Sequence, residues 1–234
     1  SEIEPKATKV LGKSKMINGK AVGEGVLQTA AGTINANLLI TSDEDLKRTF
    51  SGKVLSKDLN LCQLLGDKKF GLVDFNIEVE GFNYRNEYPE SYIKGVVSSF
   101  DYSDYRYENI TLDGMYKDGG FNGHLALDDE NGAIQIDGAF NMAQRISDFN
   151  LQASVKNFRP HALNLSDKYV DSDISLNLVA DFSGSSIDDM NGVIRLDSLV
   201  LNKSGEQDYL LDNLSIMAGQ SDGEKEIQIL SPFL

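Results

Sequence analysis

Few side chains in this chain of 234 residues are suited to chemistry: two histidines, one cysteine and a scatter of carboxylates. His124 stands in "FNGHLAL" and His161 follows Pro160 in "RPHALNLSD". A bound metal needs several donors converging at short spacing, and the chain offers neither His-x-x-x-His nor paired cysteines. Cys62, within "SKDLNLCQLLG", has leucines around it and reads as a small core residue. A reactive thiolate would need cations beside it, and Lys57 is the nearest in sequence. "LDDENGAIQIDG" (127–138) has the acids of a calcium loop, but its glycine falls one position early and no glutamate closes it. No G-x-S-x-G phrase is present to carry a nucleophile. Tyrosines in "FNYRNEYPESY" (82–92) and "FDYSDYRY" (100–107) either stack on sugars or pair with one another across strands. The chain therefore reads as a non-enzyme without metal or cofactor.

The elements that carry these residues are strands. In "DISLNLVADFSG" (173–184) Ile174, Leu176, Leu178, Ala180 and Phe182 recur at every second position, with polar residues between them. That is the period of a strand with one dry and one wet face. "VDFNIEVEG" (73–81), "FNGHLAL", "AIQIDGAF" and "FNLQASV" repeat the pattern. Asn131-Gly132, Asp118-Gly119 and Asp222-Gly223 are type I′ hairpin signals, since such pairs tolerate positive φ at both central positions. Helical signals are short. "SKDLNLCQLLG" offers Ser56 or Asp58 as N-cap and Gly66 as a stop; "RPHALNLSD" begins a turn at Pro160, and "SDEDLKR" (42–48) suggests another.

Composition bounds the partners. Net charge is -14, so nucleic-acid phosphate repels the chain and is excluded as a ligand. A mean hydropathy of -0.28, with no apolar run near ~18 residues, leaves no transmembrane helix. The first twenty residues are polar and basic, without the apolar centre of a signal peptide. The amphipathic pattern starts at once, which suggests a segment of a longer protein.

A repeat runs through the chain. Asp67-Lys68 matches Asp167-Lys168, "KGVVSSFDY" (94–102) matches "NGVIRLDSL" (191–199), and "YENITLDG" (107–114) matches "LDNLSIMAG" (211–219). Within a single segment spanning residues 1–234, two tandem units are expected at about 50–148 and 149–234, as in architectures that grow in one direction. A half-dry sheet must cover its apolar face. It can pack on a second sheet, as in a β-sandwich binding module for glycan or protein, or curl into a trough holding an apolar ligand. The side chains assigned to the dry face are Phe75, Ile77, Val79, Ile110, Leu112, Phe121, Leu125, Leu127, Ile134, Ile136 and Phe140 in the first unit. In the second they are Phe149, Leu151, Val155, Ile174, Leu176, Leu178 and Phe182.

The order "FSGKVLSKDLNLCQLLG", "GVVSSFDYSDYRYENITLDG", "DFNLQASVKNFRPHALNL" and "ADFSGSSIDDMNGVIRLDSLVL" resembles the TamB proteins, translocation and assembly module subunits of Gram-negative bacteria within the AsmA-like group. The version here is similar to the Bacteroidetes type. The resemblance implies an all-β fold: an elongated, curled antiparallel sheet forming a U-shaped apolar groove, or β-taco, with short helical turns. It also implies a periplasmic segment of an inner-membrane-anchored protein. Its role is inter-membrane phospholipid transport and outer-membrane biogenesis or protein assembly, with phospholipid or another apolar ligand and a BamA-type outer-membrane partner. Strands cut from a continuous sheet leave free edges, so edge-strand self-association is a further expectation.

Overall fold

Period-two alternation makes each strand two-sided, and short turns make consecutive strands neighbours. Both consequences are visible in the computed structural model of the chain. It describes residues 7–17, 20–42, 47–84, 89–141, 146–168, 170–184, 189–204, 209–221 and 224–231. Two compact units divide the chain, Ser1–Asp118 and Gly119–Leu234.

Unit 1 contains β1 (Ala7–Ile17), β2 (Lys20–Thr29), β3 (Gly32–Ser42), β4 (Arg48–Asn60), a short helix α1 (Leu61–Leu65), β5 (Phe70–Asn83), β6 (Glu90–Tyr102) and β7 (Tyr105–Lys117). Unit 2 contains β8 (Gly120–Asp129), β9 (Gly132–Asn141), β10 (Asp148–Phe158), β11 (Ser172–Ser183), β12 (Asn191–Lys203), β13 (Tyr209–Ser221) and β14 (Glu224–Leu230). Within each unit every strand pairs antiparallel with its neighbours in sequence, giving a curled sheet that does not close. Among the described residues neither unit has a second sheet, so the two-sheet sandwich is not the arrangement of either.

Glycine placement accounts for the curl. Gly52, Gly81, Gly95, Gly114, Gly123, Gly138 and Gly192 all fall in register with the apolar side chains, on the same face. A face short of side-chain bulk is the one toward which a sheet bends. At Gly138, φ is +135°, and a Cβ would lie 2.3 Å from the Asn150 carbonyl oxygen. No other residue fits there.

The same local devices recur about a hundred residues apart. β4 carries an extra residue between Ser56 and Leu59, and β10 carries one between Val155 and Phe158. At these bulges Asp58 (φ 53°) donates its N–H to Asp74 Oδ1 at 2.5 Å, and Asn157 (φ 47°) donates its N–H to Ser175 Oγ at 2.9 Å. The Asn60 N–H reaches the Ala31 carbonyl at 2.7 Å; Arg159 reaches that of Asn131 at 2.9 Å. Ser103 reaches Lys69 and Ser204 reaches Asp171 in the same way. Asn109 and Asn213 share positive φ. Because Gly32 and Gly132 also correspond, the equivalence reaches upstream to β3 and β9.

Several local expectations need correction. The N-cap of α1 is Asn60, whose side chain accepts from the Gln63 N–H at 3.1 Å, not Ser56 or Asp58. Those two belong to β4, which stays paired to its end; Ser56 is buried and donates to the Thr33 carbonyl. Gly66 stops the helix in the left-handed conformation, as expected. Glu130 and Asn131 form the tip of the β8–β9 hairpin, and only Gly132 has positive φ, so the turn is not type I′. An Asn131 N–H bond to Asp129 Oδ1 at 2.9 Å holds it instead. Asp118 and Gly119 do both have positive φ. So do Ser103 and Asp104, a turn without glycine that the sequence did not signal. Asp222-Gly223 and residues 43–46 of "SDEDLKR" lie outside the described residues.

Burial is sparse. In unit 1 Ala31, Leu59 and Val73 form a core on which Leu61 and Leu64 of α1 pack, with Ile34, Phe75, Val97 and Phe100 around them. In unit 2 the turn after Pro160 brings the Leu165 N–H to the Pro160 carbonyl at 2.8 Å and buries Leu163 completely (0% exposed), while Leu165 stays 47% exposed. Leu163→Ala should therefore lower unfolding stability by about 2–5 kcal/mol. Leu165→Ala should change it by no more than about 0.5 kcal/mol. Urea titration of both variants checks the pair.

Candidate functional site

Strand register assembles the apolar residues into rows that run across the strands. In unit 2 one row is Phe121, Phe140, Phe149 and Phe182, ending on Gly192. The next rows are Leu151 with Ala180 and Ile194, then Leu125, Ile136, Ala153, Leu178 and Leu196, then Leu127, Ile134, Val155, Leu176 and Leu199. Phe149 and Phe182 stack at 4.7 Å between ring centroids, and Phe121 meets Phe140 at 5.7 Å. Ile174 continues the face beside Phe158.

Unit 1 has the same construction. Val79 pairs with Ile93, Ile77 stands between Val54 and Gly95, and Phe75 pairs with Val97. Leu112 faces Gly95 and Ile110 faces Val97. Every side chain assigned to the dry face from sequence lies on this face, but Phe121, Leu125, Leu127, Ile134, Ile136 and Phe140, assigned to the first tandem unit, fall in unit 2 of the structure. All but Leu127 are only half-buried.

Sequence reasoning missed Val54, Ile93 and Val97 in unit 1, and Ile194, Leu196 and Leu199 in unit 2. For β12 the reason is a bulge. Asn177 pairs with Ser198 and Leu178 with Leu196, so Asp197 is an extra residue and the alternation changes phase there. The interior glycines were the available signal: Gly95 lies two residues from Ile93 and Val97, and Gly138 two from Ile136 and Phe140.

The opposite face is polar. In unit 1 Lys53 pairs with Glu78 at 2.7 Å and Lys94 with Asp113 at 2.8 Å, and the Tyr92 hydroxyl donates to the same aspartate. The hydrogen bond from Lys53 holds the Glu78 carboxyl below its ordinary range, and that to Asp113 raises Lys94 and Tyr92. A shallow depression among Ser51, Lys53, Glu80, Tyr92 and Lys94 has both its lysines already paired. In unit 2 His124 lies on this outer face, its Nδ1 2.8 Å from Asp137 Oδ1. His161 is exposed. No cluster of metal-binding side chains exists among the described residues. Cys62 is free and half-buried on α1 rather than in the core proper. Among the described tyrosines of these stretches, Tyr84 packs on Phe82 at 5.9 Å, Tyr102 on Phe70 at 5.2 Å and Tyr105 on Tyr107 at 4.8 Å, while Tyr92 is exposed and Tyr88 lies outside the described residues.

Compared with protein-family models, curated proteins and solved structures, the chain finds no match.

One ion pair ties the β6–β7 turn to β5. Arg106 grips Asp101 through Nε at 2.7 Å and Nη2 at 3.1 Å, and Asp101 also accepts from the Leu72 N–H. The Arg106 hydrogen bond holds the Asp101 carboxyl below its usual value of 3.8. A carboxylate depressed in the folded state contributes fully above its unfolded value and loses that contribution as pH falls through the folded one. Asp101→Asn should thus cost about 1 kcal/mol or less at neutral pH. The gap from the wild type should close as pH falls from about 4 towards the depressed value. Thermal melts across that window test the sign: a gap that widens on acidification contradicts it.

Proposed function

We propose that the curled strands of each unit shield lipid acyl chains, as a TamB-like segment serving phospholipid transport between membranes and outer-membrane biogenesis. A single observation carries this reading: rows of Phe, Leu and Ile on one face of each sheet are left half-exposed, with no second sheet in their own unit to cover them. Contiguous apolar surface of that kind marks an interaction site. Full burial of a half-covered side chain is worth about 1 kcal/mol, so several rows together supply ample affinity for a hydrocarbon chain. The polar outer face, with its cross-strand ion pairs, suits solvent. On the resemblance in sequence, the setting is the periplasm, with an inner-membrane anchor on one side and a BamA-type barrel on the other.

The reading is tested by heating the purified protein, extracting it with organic solvent and weighing the extract by mass spectrometry. Phospholipid should co-purify with the wild type. Leu176→Asp places a carboxylate in a half-buried row beside Val155 and Leu199. If acyl chains are the normal neighbours there, the variant keeps its β signal, loses about 1–2 kcal/mol of stability and loses the lipid. Outright unfolding would identify the dry face as a closed core, where an unpaired carboxylate costs several kcal/mol, and a lipid-free wild type that binds glycans would sink the proposal.

A further inference from the structure

Building on the acyl-shielding role proposed above, we infer that unit 1 holds an acyl chain in one direction, with an anionic head at Arg48 and the chain end at α1. The apolar face of this unit differs at its two rims. At the β4–β5 connection α1 folds back, and Leu61 and Leu64 pack on the row of Leu59 and Val73. That rim is closed by buried hydrocarbon. At the opposite rim nothing of the kind, among the described residues, covers Phe50, which pairs with Gly81 and with the exposed Ile40. Two residues further out on the same face, Arg48 pairs in register with Asn83 and Ser42. It is exposed and in no ion pair among the described residues. A guanidinium is the side chain best matched to carboxylate or phosphate.

The distance between the rims fits one chain. Phe50 to Ser56 is six residues, about 20 Å of strand at ~3.3 Å each. One leaflet's hydrocarbon is about 15 Å deep, half of a ~30 Å core. That depth is for the disordered chains of a bilayer; a single chain held extended along the strands is longer, covers the uncovered rows and directs its end towards α1. The reverse orientation would push a charged head against Leu59, Val73, Leu61 and Leu64, where desolvation opposes it.

Because the chain contains no tryptophan, a single introduced one reports locally. Phe50→Trp places the reporter at the open rim and Leu64→Trp at α1, with Leu61→Trp in reserve should the former not fold. Stearate carrying a nitroxide quencher at carbon 5 or at carbon 16 supplies the probes. The rim reporter should lose at least twofold more fluorescence to the carbon-5 probe, and the α1 reporter at least twofold more to the carbon-16 probe. Arg48→Gln should weaken stearate binding about two- to fivefold while leaving octadecanol unchanged. The opposite order of quenching, the same order at both reporters, or an equal effect of Arg48→Gln on both ligands overturns the direction while leaving acyl shielding intact. Absence of quenching at every reporter removes the shielding role itself, and this inference with it.

Discussion

Hydrogen bonding between strands that follow one another in sequence is the interaction on which the rest of this structure depends. Each unit consists of one antiparallel sheet, and only a few apolar residues are buried outright among those described. A sandwich shares the burden between backbone ladders and a dry inter-sheet core. Here the ladders and the cross-strand side-chain rows carry it, helped by small buried clusters such as those where α1 or the Leu163 turn folds over. Such rows stabilise pair by pair: stacked phenylalanines and aliphatic neighbours on one face, and ion pairs such as Lys53–Glu78 on the other. The apolar face can therefore remain accessible without the fold being lost.

The curl and the rim closures are local features, and both recur along the chain. Glycines on the apolar face let the sheet bend towards it, while bulges at Asp58 and Asn157 redirect β4 and β10 just before the chain leaves the sheet. The short α1 and the Pro160 turn then occupy corresponding positions, although one is a helix capped by Asn60 and the other a single turn. Leucines do the covering in both. What is preserved between the units is thus the backbone device and the apolar plug, while the secondary structure that delivers the plug differs.

Much of this was legible where alternation is unbroken. β5 and β11 read directly from Phe75–Val79 and Ile174–Phe182, and the face of the sheet they predict is the one observed. Legibility fails where one residue is inserted: Asp197 shifts the phase of β12, hiding Ile194, Leu196 and Leu199 from a period-two pattern. It fails again where one residue type serves two ends. Aspartate and asparagine suit both helix caps and the left-handed backbone of a bulge, so Asp58 imitates a cap while Asn60 is the cap. Leu163, the most deeply buried side chain among the described residues, lies in a polar turn whose composition gives no sign of burial. Its environment comes from how the turn folds back, which a local pattern does not contain.

Nearest-neighbour pairing also bears on how the chain reaches its folded state. Contacts between strands adjacent in sequence give a low contact order, so closing each hairpin costs little loop entropy. Within a unit, each new strand needs only the one before it as a template. A chain built this way can fold vectorially, hairpin by hairpin, as it leaves a ribosome or a translocation channel, and does not have to wait for a distant segment to complete a core.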